Sequence, residues 1–187
     1  FQEADATGIT RPICKHNFLI NDRESIADTF RKAFIIATTG RPGPVIIDIP
    51  KDLTDPNVKI DFEYKKNIKI RSYKIKTNED DNKIEEAAKI LCSAKKPMIY
   101  SGGGVILSKA SKELIKLTKL LNYPITNTLM GLGAYPSSDN QFLGMLGMHG
   151  TYEANMAMHD CDVLLAVGAR FDDRVTGDTK QFCPKAK

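Results

Sequence analysis

Apolar positions along this chain recur at two spacings, one helical and one of short continuous runs, and they predict an alternation of helices and strands. Ile26, Phe30, Ala33, Phe34 and Ala37 fall at i, i+4, i+7, i+8 and i+11, which predicts a helix over 21–40 with those five residues facing a core. Asp22 suits its N-cap and Gly40 its C-terminal stop. Arg41-Pro42-Gly43-Pro44 then turns into Val45-Ile46-Ile47-Asp48-Ile49-Pro50, a β-branched run expected to form a parallel strand covered on both faces.

Beyond Lys51 the periodicity stops, and Lys, Asn, Asp and isolated aromatics continue to about Asp81. The basic run 64–71 reads as a solvated interdomain linker in preference to an RNA or membrane patch. We expect domains at 1–55 and 81–187 joined by a linker at 56–80. Asn82 with Glu85 forms a capping pair ahead of Ile84, Ala87, Ala88 and Leu91, a single apolar face ending near Ala94 before Lys95-Lys96-Pro97. Met98-Ile99-Tyr100 reads as a strand running into Ser101-Gly102-Gly103-Gly104. Ser108 then caps a helix whose inner face is Ala110, Leu114, Leu117 and Leu121. A strand at 124–127, a glycine-rich loop to about Gly150, a helix over 151–158 and a strand at 162–167 complete the pattern. Strands alternating with helices imply an α/β fold built on a doubly wound parallel sheet, preceded by part of a second α/β domain.

Ligands of open α/β sheets bind beyond the carboxyl ends of the strands, and the informative residues stand there. Gly102-Gly103-Gly104 lets backbone amides approach a phosphate or ring, or simply makes a tight turn. A nicotinamide fingerprint is disfavoured, because Leu107 stands where its last glycine belongs and Asn127-Thr128 where an acidic ribose partner belongs. Met130-Gly131-Leu132-Gly133 and Gly144-Met145-Leu146-Gly147-Met148-His149-Gly150 offer soft surfaces that wrap an extended cofactor or pack internally. Gly168-Ala169-Arg170-Phe171-Asp172-Asp173-Arg174 either binds a diphosphate or carboxylate through bidentate guanidinium groups or closes on itself as a surface ion network. Hydrolase, P-loop, zinc-protease and C-x-x-C motifs are all missing. Spacing alone stops at a dinucleotide-type binding module.

Composition narrows the classes further. The 187 residues carry 27 Lys+Arg against 23 Asp+Glu, a net charge of +4 spread over both signs, which argues against a nucleic-acid or membrane partner. The apolar runs fall far short of the roughly 20 residues a bilayer helix needs. The four cysteines are widely spaced and read as reduced thiols, not as a zinc site. The chain opens on Phe1 without a signal-peptide pattern and has no further strand after Val167, so we expect a piece of a longer protein.

At these motifs the chain closely resembles the catalytic large subunit of the acetolactate synthase (acetohydroxyacid synthase) family, thiamine-diphosphate enzymes of branched-chain amino-acid synthesis. The resemblance spans the whole chain. It is carried by Phe1-Gln2-Glu3-Ala4-Asp5 with Lys15-His16, Gly40-Arg41-Pro42-Gly43-Pro44, Pro50-Lys51-Asp52, the Gly102 to Gly104 turn, Leu129-Met130-Gly131-Leu132-Gly133, the 144–152 segment and Arg170 to Arg174. Each match is weak alone, and their order and spacing together are specific.

The resemblance implies a fragment covering the end of a thiamine pyrimidine-binding domain and most of a Rossmann-like central FAD-binding domain. The family's catalytic glutamate would precede Phe1 and its magnesium/diphosphate motif would follow Lys187, so the piece alone is expected not to catalyse, and it carries no metal ligands. By position, Gln2 would face the thiamine aminopyrimidine and Phe1 the flavin. Lys51 and Met148 would line the substrate channel, and Arg174, its guanidinium held by Asp173, would bind the carboxylate of a 2-oxo acid. FAD contacts would be Arg41, Gly102, Gly103, Gly104, Thr128, Leu129, Met130, Leu146, Gly147, Met148, His149, Gly168, Ala169, Arg170, Asp172, Arg174 and Val175.

The implied reaction condenses pyruvate with pyruvate or 2-oxobutyrate. The implied partners are further catalytic subunits in a homodimer or homotetramer and a small regulatory subunit, in the cytoplasm or, for a photosynthetic source, the plastid stroma. Two alternatives stay open: another FAD/thiamine-diphosphate enzyme of the pyruvate oxidase or glyoxylate carboligase type, and a non-catalytic nucleotide-binding module.

Overall fold

The computed structural model describes residues 4–61, 65, 67–74 and 80–187. Phe1 and Gln2 lie outside them. The chain forms two compact units, Phe1–Asn78 and Glu79–Lys187.

In the first unit, helix α1 (Ala6–Thr10) leads to strand β1 (His16–Leu19), helix α2 (Ile26–Thr38) and strand β2 (Val45–Asp48), with 3-10 turns at Arg23–Ser25 and Lys51–Thr54. β1 and β2 pair in parallel, His16 opposite Val45 and Leu19 opposite Asp48. β1 is absent from the sequence reading because four residues, two of them polar, produce no detectable run. The Asp22 carboxylate accepts the Glu24 amide at 3.1 Å and so caps the 3-10 turn; the α-helix begins only at Ile26.

Its buried face is also rotated from the expected one. Thr29, Ala33 and Ile36 are buried, whereas Phe34 is 68% exposed and Phe30 also faces outward. All four residues of β2 are half-buried, not covered on both faces, because β1 is its one neighbour among the described residues.

The C-terminus of α2 is closed by a distant side chain. Lys15 Nζ donates to the Ile36 and Thr39 carbonyls at 2.5 and 2.6 Å, placing a cation on the negative end of the helix. Tyr73 joins it, accepting from Lys15 at 3.2 Å and donating to the Thr39 carbonyl at 2.9 Å. The Thr39 hydroxyl and the Lys15 ammonium hold the Tyr73 phenol below its ordinary pKa. Part of the stretch expected as linker therefore packs on the first unit. Gly40, with φ +61, ends the helix as its conformational freedom allows.

In the second unit, helix α3 (Asp81–Ser93), strand β3 (Pro97–Ser101), helices α4 (Gly103–Leu107) and α5 (Ser111–Leu121), strands β4 (Ile125–Asn127) and β5 (Phe142–Met145), helix α6 (Tyr152–Asp160), strand β6 (Val163–Val167) and helix α7 (Asp173–Thr176) follow in order. The four strands form one parallel sheet in the order β5-β4-β3-β6. Alternation along β3 sends its side chains to two cores. Ile99 packs with Val105, Leu114, Ile125 and Tyr135 on one face. Met98 and Tyr100 pack with Leu146, Met158 and Cys161 on the other. Helical layers on both faces make the sheet doubly wound.

Several local readings change. β5 lies inside the expected glycine-rich loop, hidden by Gly144 at φ +92 and by a register break opposite β4. Asp80, not Asn82, caps α3, accepting the Lys83 amide at 3.3 Å. The expected inner face of that helix is open: Ile84 is 55% exposed and α3 contains no buried residue. Its C-terminal end is what docks, through the Lys95 and Lys96 amides donating to Asp162 at 2.8 and 2.9 Å. These bonds, led by that of Lys95, hold the Asp162 carboxyl below its ordinary pKa. Ser108 closes α4 by donating to the Val105 carbonyl at 3.1 Å and does not cap α5, which starts after Ala110. Among the described residues no helix is long and apolar enough to cross a membrane.

Candidate functional site at the carboxyl rim of the sheet

The turns after β3, β4, β5 and β6 all leave the same rim of one sheet, as parallel strands require. The chain passes from β3 to β4 on one side and later returns to β6 on the other. This reversal is the switch point at which open α/β sheets take ligands.

The glycines let these turns touch backbone to backbone. A Cβ on Gly102 would meet the Gly168 carbonyl oxygen at 2.4 Å, and one on Gly104 would meet Gly168 Cα at 2.7 Å. One on Gly131 would meet the Ser101 carbonyl oxygen at 2.7 Å. The contacts are hydrogen-bonded as well: Gly102 N donates to Val167 and Gly104 N to Gly168, both at 2.9 Å, and Thr128 N to Ser101 at 2.9 Å. This revises the expected cradle of three bare amides. Two are engaged by the rim itself, leaving Gly103 N, at the start of α4, without an intrahelical acceptor.

Two side-chain locks, one buried and one half-buried and neither foreseen from the sequence, hold the turns in register. Ser101 Oγ donates to Asn127 Oδ1, and Asn127 Nδ2 donates to the Gly131 carbonyl at 3.0 Å. Asn155, from α6, accepts the Gly147 amide at 3.2 Å and donates back to the Gly147 carbonyl at 3.1 Å. Met148 N donates to the Arg174 carbonyl at 3.1 Å, tying the β5 turn to α7. The only sequence signal for Ser101 and Asn127 is a polar residue ending an otherwise apolar strand.

Into this frame the structure brings most of the expected residues. Thr128 caps the 3-10 turn Leu129–Gly131, its hydroxyl accepting the Gly131 amide at 2.9 Å. Leu129, Met130 and Met148 present exposed apolar surface, and His149 is exposed beside them. Leu146 and Val175 meet in the wall of a cleft of about 160 Å³ that also includes Asn155, Met158, His159 and Phe182. After Gly168 and Ala169, Arg170 pairs with Asp172 at 3.3 Å. Asp173 stands in the first turn of α7, and among the described ion pairs none joins it to Arg174. Arg41 and Lys51 are exposed in the first unit, after α2 and after β2.

Two polar atoms beneath the rim lack partners. Tyr100 OH and Asp172 Oδ1 are buried without a hydrogen bond, a costly arrangement that a bound group can relieve. Tyr100 is fully buried, and that burial, assisted by the negative charge of Asp172, pushes its phenol up to about 12. An exposed guanidinium, a helix-start amide without an intrahelical acceptor, buried oxygens short of a partner and flat apolar side chains together suit an extended, anionic ligand bearing hydroxyls and an aromatic ring. Among the described residues no group of three or more His, Cys, Asp and Glu is placed to hold a metal ion.

Known proteins agree with this architecture. Residues 84–187 match the family model described as thiamine pyrophosphate enzyme, central domain. The whole chain is 53% identical to the acetolactate synthase large subunit of Haemophilus influenzae and covers 33% of it. It is 47% identical to the acetolactate synthase isozyme 3 large subunit of Escherichia coli, covering 32% of that protein. The chain thus spans about a third of the length of these curated relatives. A solved structure described as a thiamin diphosphate-dependent enzyme from Mycobacterium smegmatis superposes with a TM-score of 0.68 over 89% of this chain and 31% of its own, at 24% identity, a likeness of fold. With its sheet, its rim and more than half of its length matched to that central domain, the chain belongs to the thiamine pyrophosphate enzyme family.

Proposed function

We propose that this chain is the flavin-holding part of a thiamine-diphosphate-dependent carboligase that joins pyruvate to a second 2-oxo acid, pyruvate or 2-oxobutyrate, giving acetolactate or acetohydroxybutyrate. The observation that carries the reading is the convergence of four strand-end turns on one rim, interlocked at Gly102, Gly104, Gly131 and Gly168, in a chain about half identical to acetolactate synthase large subunits.

In this reading the rim holds FAD. Gly103 N and the Arg170 guanidinium serve its diphosphate, Asp172 serves hydroxyls, and Leu129, Met130 and Met148 flank its rings. The flavin takes no net redox part; it braces the turns, because a ligand bound only by the folded state stabilises that state by mass action. Thiamine diphosphate, with magnesium on its phosphates, supplies the electron sink for decarboxylation and is bound mainly by residues outside this chain. Lys51 and Arg174 are cations for the carboxylates of the oxo acids, with Gln2 on the thiamine side and Phe1 on the flavin side. Further catalytic subunits and a regulatory subunit complete the assembly.

The test is acetolactate formation from pyruvate by the complete gene product, with and without thiamine diphosphate and magnesium. Activity that requires both is expected. Condensation that proceeds unchanged without thiamine diphosphate contradicts the proposal.

A further inference from the structure

One side chain of α6 serves a loop and not its own helix. Asn155 is the fourth residue of α6, whose N-terminus the Thr151 hydroxyl already caps by accepting the Ala154 amide at 3.2 Å. Asparagine is a poor helix former because its amide competes with the backbone, and here that amide is committed to backbone preceding the helix. Oδ1 accepts the Gly147 amide at 3.2 Å, while Nδ2 donates to the Gly147 carbonyl at 3.1 Å and to the Thr151 carbonyl at 2.8 Å. One acceptor and two donor hydrogens are all in use, a set that no carboxylate, hydroxyl or aliphatic side chain of that reach supplies.

Gly147 needs such a hold. Its φ of +106 is a backbone that glycine alone adopts readily, and a Cβ there would meet the Arg174 carbonyl oxygen at 3.0 Å. The bend delivers Met148, whose amide donates to that same Arg174 carbonyl at 3.1 Å, and Gly150 N closes the turn on the Gly147 carbonyl at 2.9 Å. Met148, 75% exposed, and the exposed Arg174 therefore grow from main-chain positions joined by a hydrogen bond. In the carboligase reading, on which this inference rests, Arg174 takes the carboxylate of a 2-oxo acid and Met148 lines its channel. A guanidinium and a thioether chain on neighbouring backbone suit the two ends of such a molecule, the charged one and the alkyl one. Pyruvate and 2-oxobutyrate differ by one methylene at the alkyl end, a difference that an apolar contact resolves by about 10- to 200-fold.

We propose that Asn155 is a positioning residue for substrate choice: by clamping both main-chain polar groups of Gly147, it holds Met148 beside Arg174 at the spacing that accommodates the longer oxo acid. It acts at one remove from the substrate, through the bend at Gly147. Loss of the clamp frees that bend and costs the extra methylene its apolar contact, while the carboxylate keeps its cation.

The test gives the complete gene product, with thiamine diphosphate, magnesium and FAD, a mixture of pyruvate and 2-oxobutyrate and measures the ratio of acetohydroxybutyrate to acetolactate. Asn155→Ala is expected to lower that ratio about tenfold, the lower end of what one methylene decides. Alanine is the better helix former, so α6 itself is retained. Asn155→Asp keeps the acceptor but sets a carboxylate against two carbonyl oxygens, and it is expected to lower the ratio as well. Met148→Ala should lower the ratio by itself, and adding Asn155→Ala to it should change the ratio by less than about twofold, since two changes in one contact do not add. An unchanged ratio in both Asn155 variants, at whatever total rate, overturns the inference, because a residue that serves folding alone slows both products equally. So does a full further drop in the Met148→Ala background. A native protein that forms neither product refutes the carboligase reading itself, and this inference with it.

Discussion

β2 and β3 are both short, apolar parallel strands, yet they sit in opposite circumstances. Every residue of β2 is half-buried, whereas Met98, Ile99, Tyr100 and Ser101 of β3 are buried. β3 has a paired strand on each side and a helical layer on each face, while β2 pairs with β1 and is covered by α2. Full enclosure has a geometric consequence at the strand's end. The turns leaving β3, β4 and β6 have no room for Cβ atoms, so glycine is required there for close approach, and the polar ends of the strands must satisfy one another. In the first unit order comes instead from one long side chain, Lys15, reaching across to a helix terminus. The difference predicts where substitutions are felt.

The largest effect is expected at Gly102→Ala, where the new methyl group lies 2.4 Å from a backbone oxygen. A loss of about 3 kcal/mol in urea unfolding is expected, against about 1 kcal/mol for Gly133→Ala. Gly133 has φ +92 but nothing within 4 Å of its would-be Cβ. Equal costs at the two sites would break the interlocked-rim account.

Tyr100 comes next, with pH as the variable. Its folded pKa, about 12 against an ordinary 10.0, means that between those values the unfolded chain has lost the proton while the folded protein retains it. Stability is then fully present below pH 10 and falls as pH rises toward 12, by about 2 to 3 kcal/mol. Tyr100→Phe should remove that alkaline loss and be neutral or stabilising near pH 7, because it deletes an unpartnered buried hydroxyl. Chemical denaturation across this pH range checks both signs.

Asn127→Ala should cost about 2 kcal/mol in the second unit by orphaning Ser101 Oγ and the Gly131 carbonyl, read as a shifted urea midpoint. Asn127→Asp should recover little, since a carboxylate cannot donate to Gly131. The smallest effect, about 1 kcal/mol, is expected for Lys15→Met, which uncaps α2. Hydrogen exchange should localise it to the last turn of α2 and leave β3 unchanged. Slower protection changes spread through both units would sharpen the comparison in the other direction, showing the first unit to be as tightly knit as the second.

The same contrast explains what was readable in the chain. The runs 98–100 and 163–167 are long enough to register as buried strands, and the glycines after them mark the rim correctly. β5 and β1 escape because a glycine at positive φ and two polar residues break runs of only four. α3 was misjudged because an apolar periodic face says nothing of whether a partner covers it; in this unit Ile84 faces outward. Ser101, Asn127 and Asn155 were passed over since a polar residue at a strand end resembles the start of any loop, and only three-dimensional register shows it satisfying a neighbour's backbone. Nor does spacing reveal that the Gly102 and Gly104 amides are engaged by the Val167 and Gly168 carbonyls. The cofactor and the residue roles came from resemblance, not from spacing.

The most direct test of the central claim is to denature the purified, intact protein and quantify the released chromophore. A rim that holds a flavin predicts about one FAD per chain for the native sequence and a markedly lower content in folded Gly102→Ala protein. A colourless native protein that makes acetolactate at full rate without added FAD would contradict it.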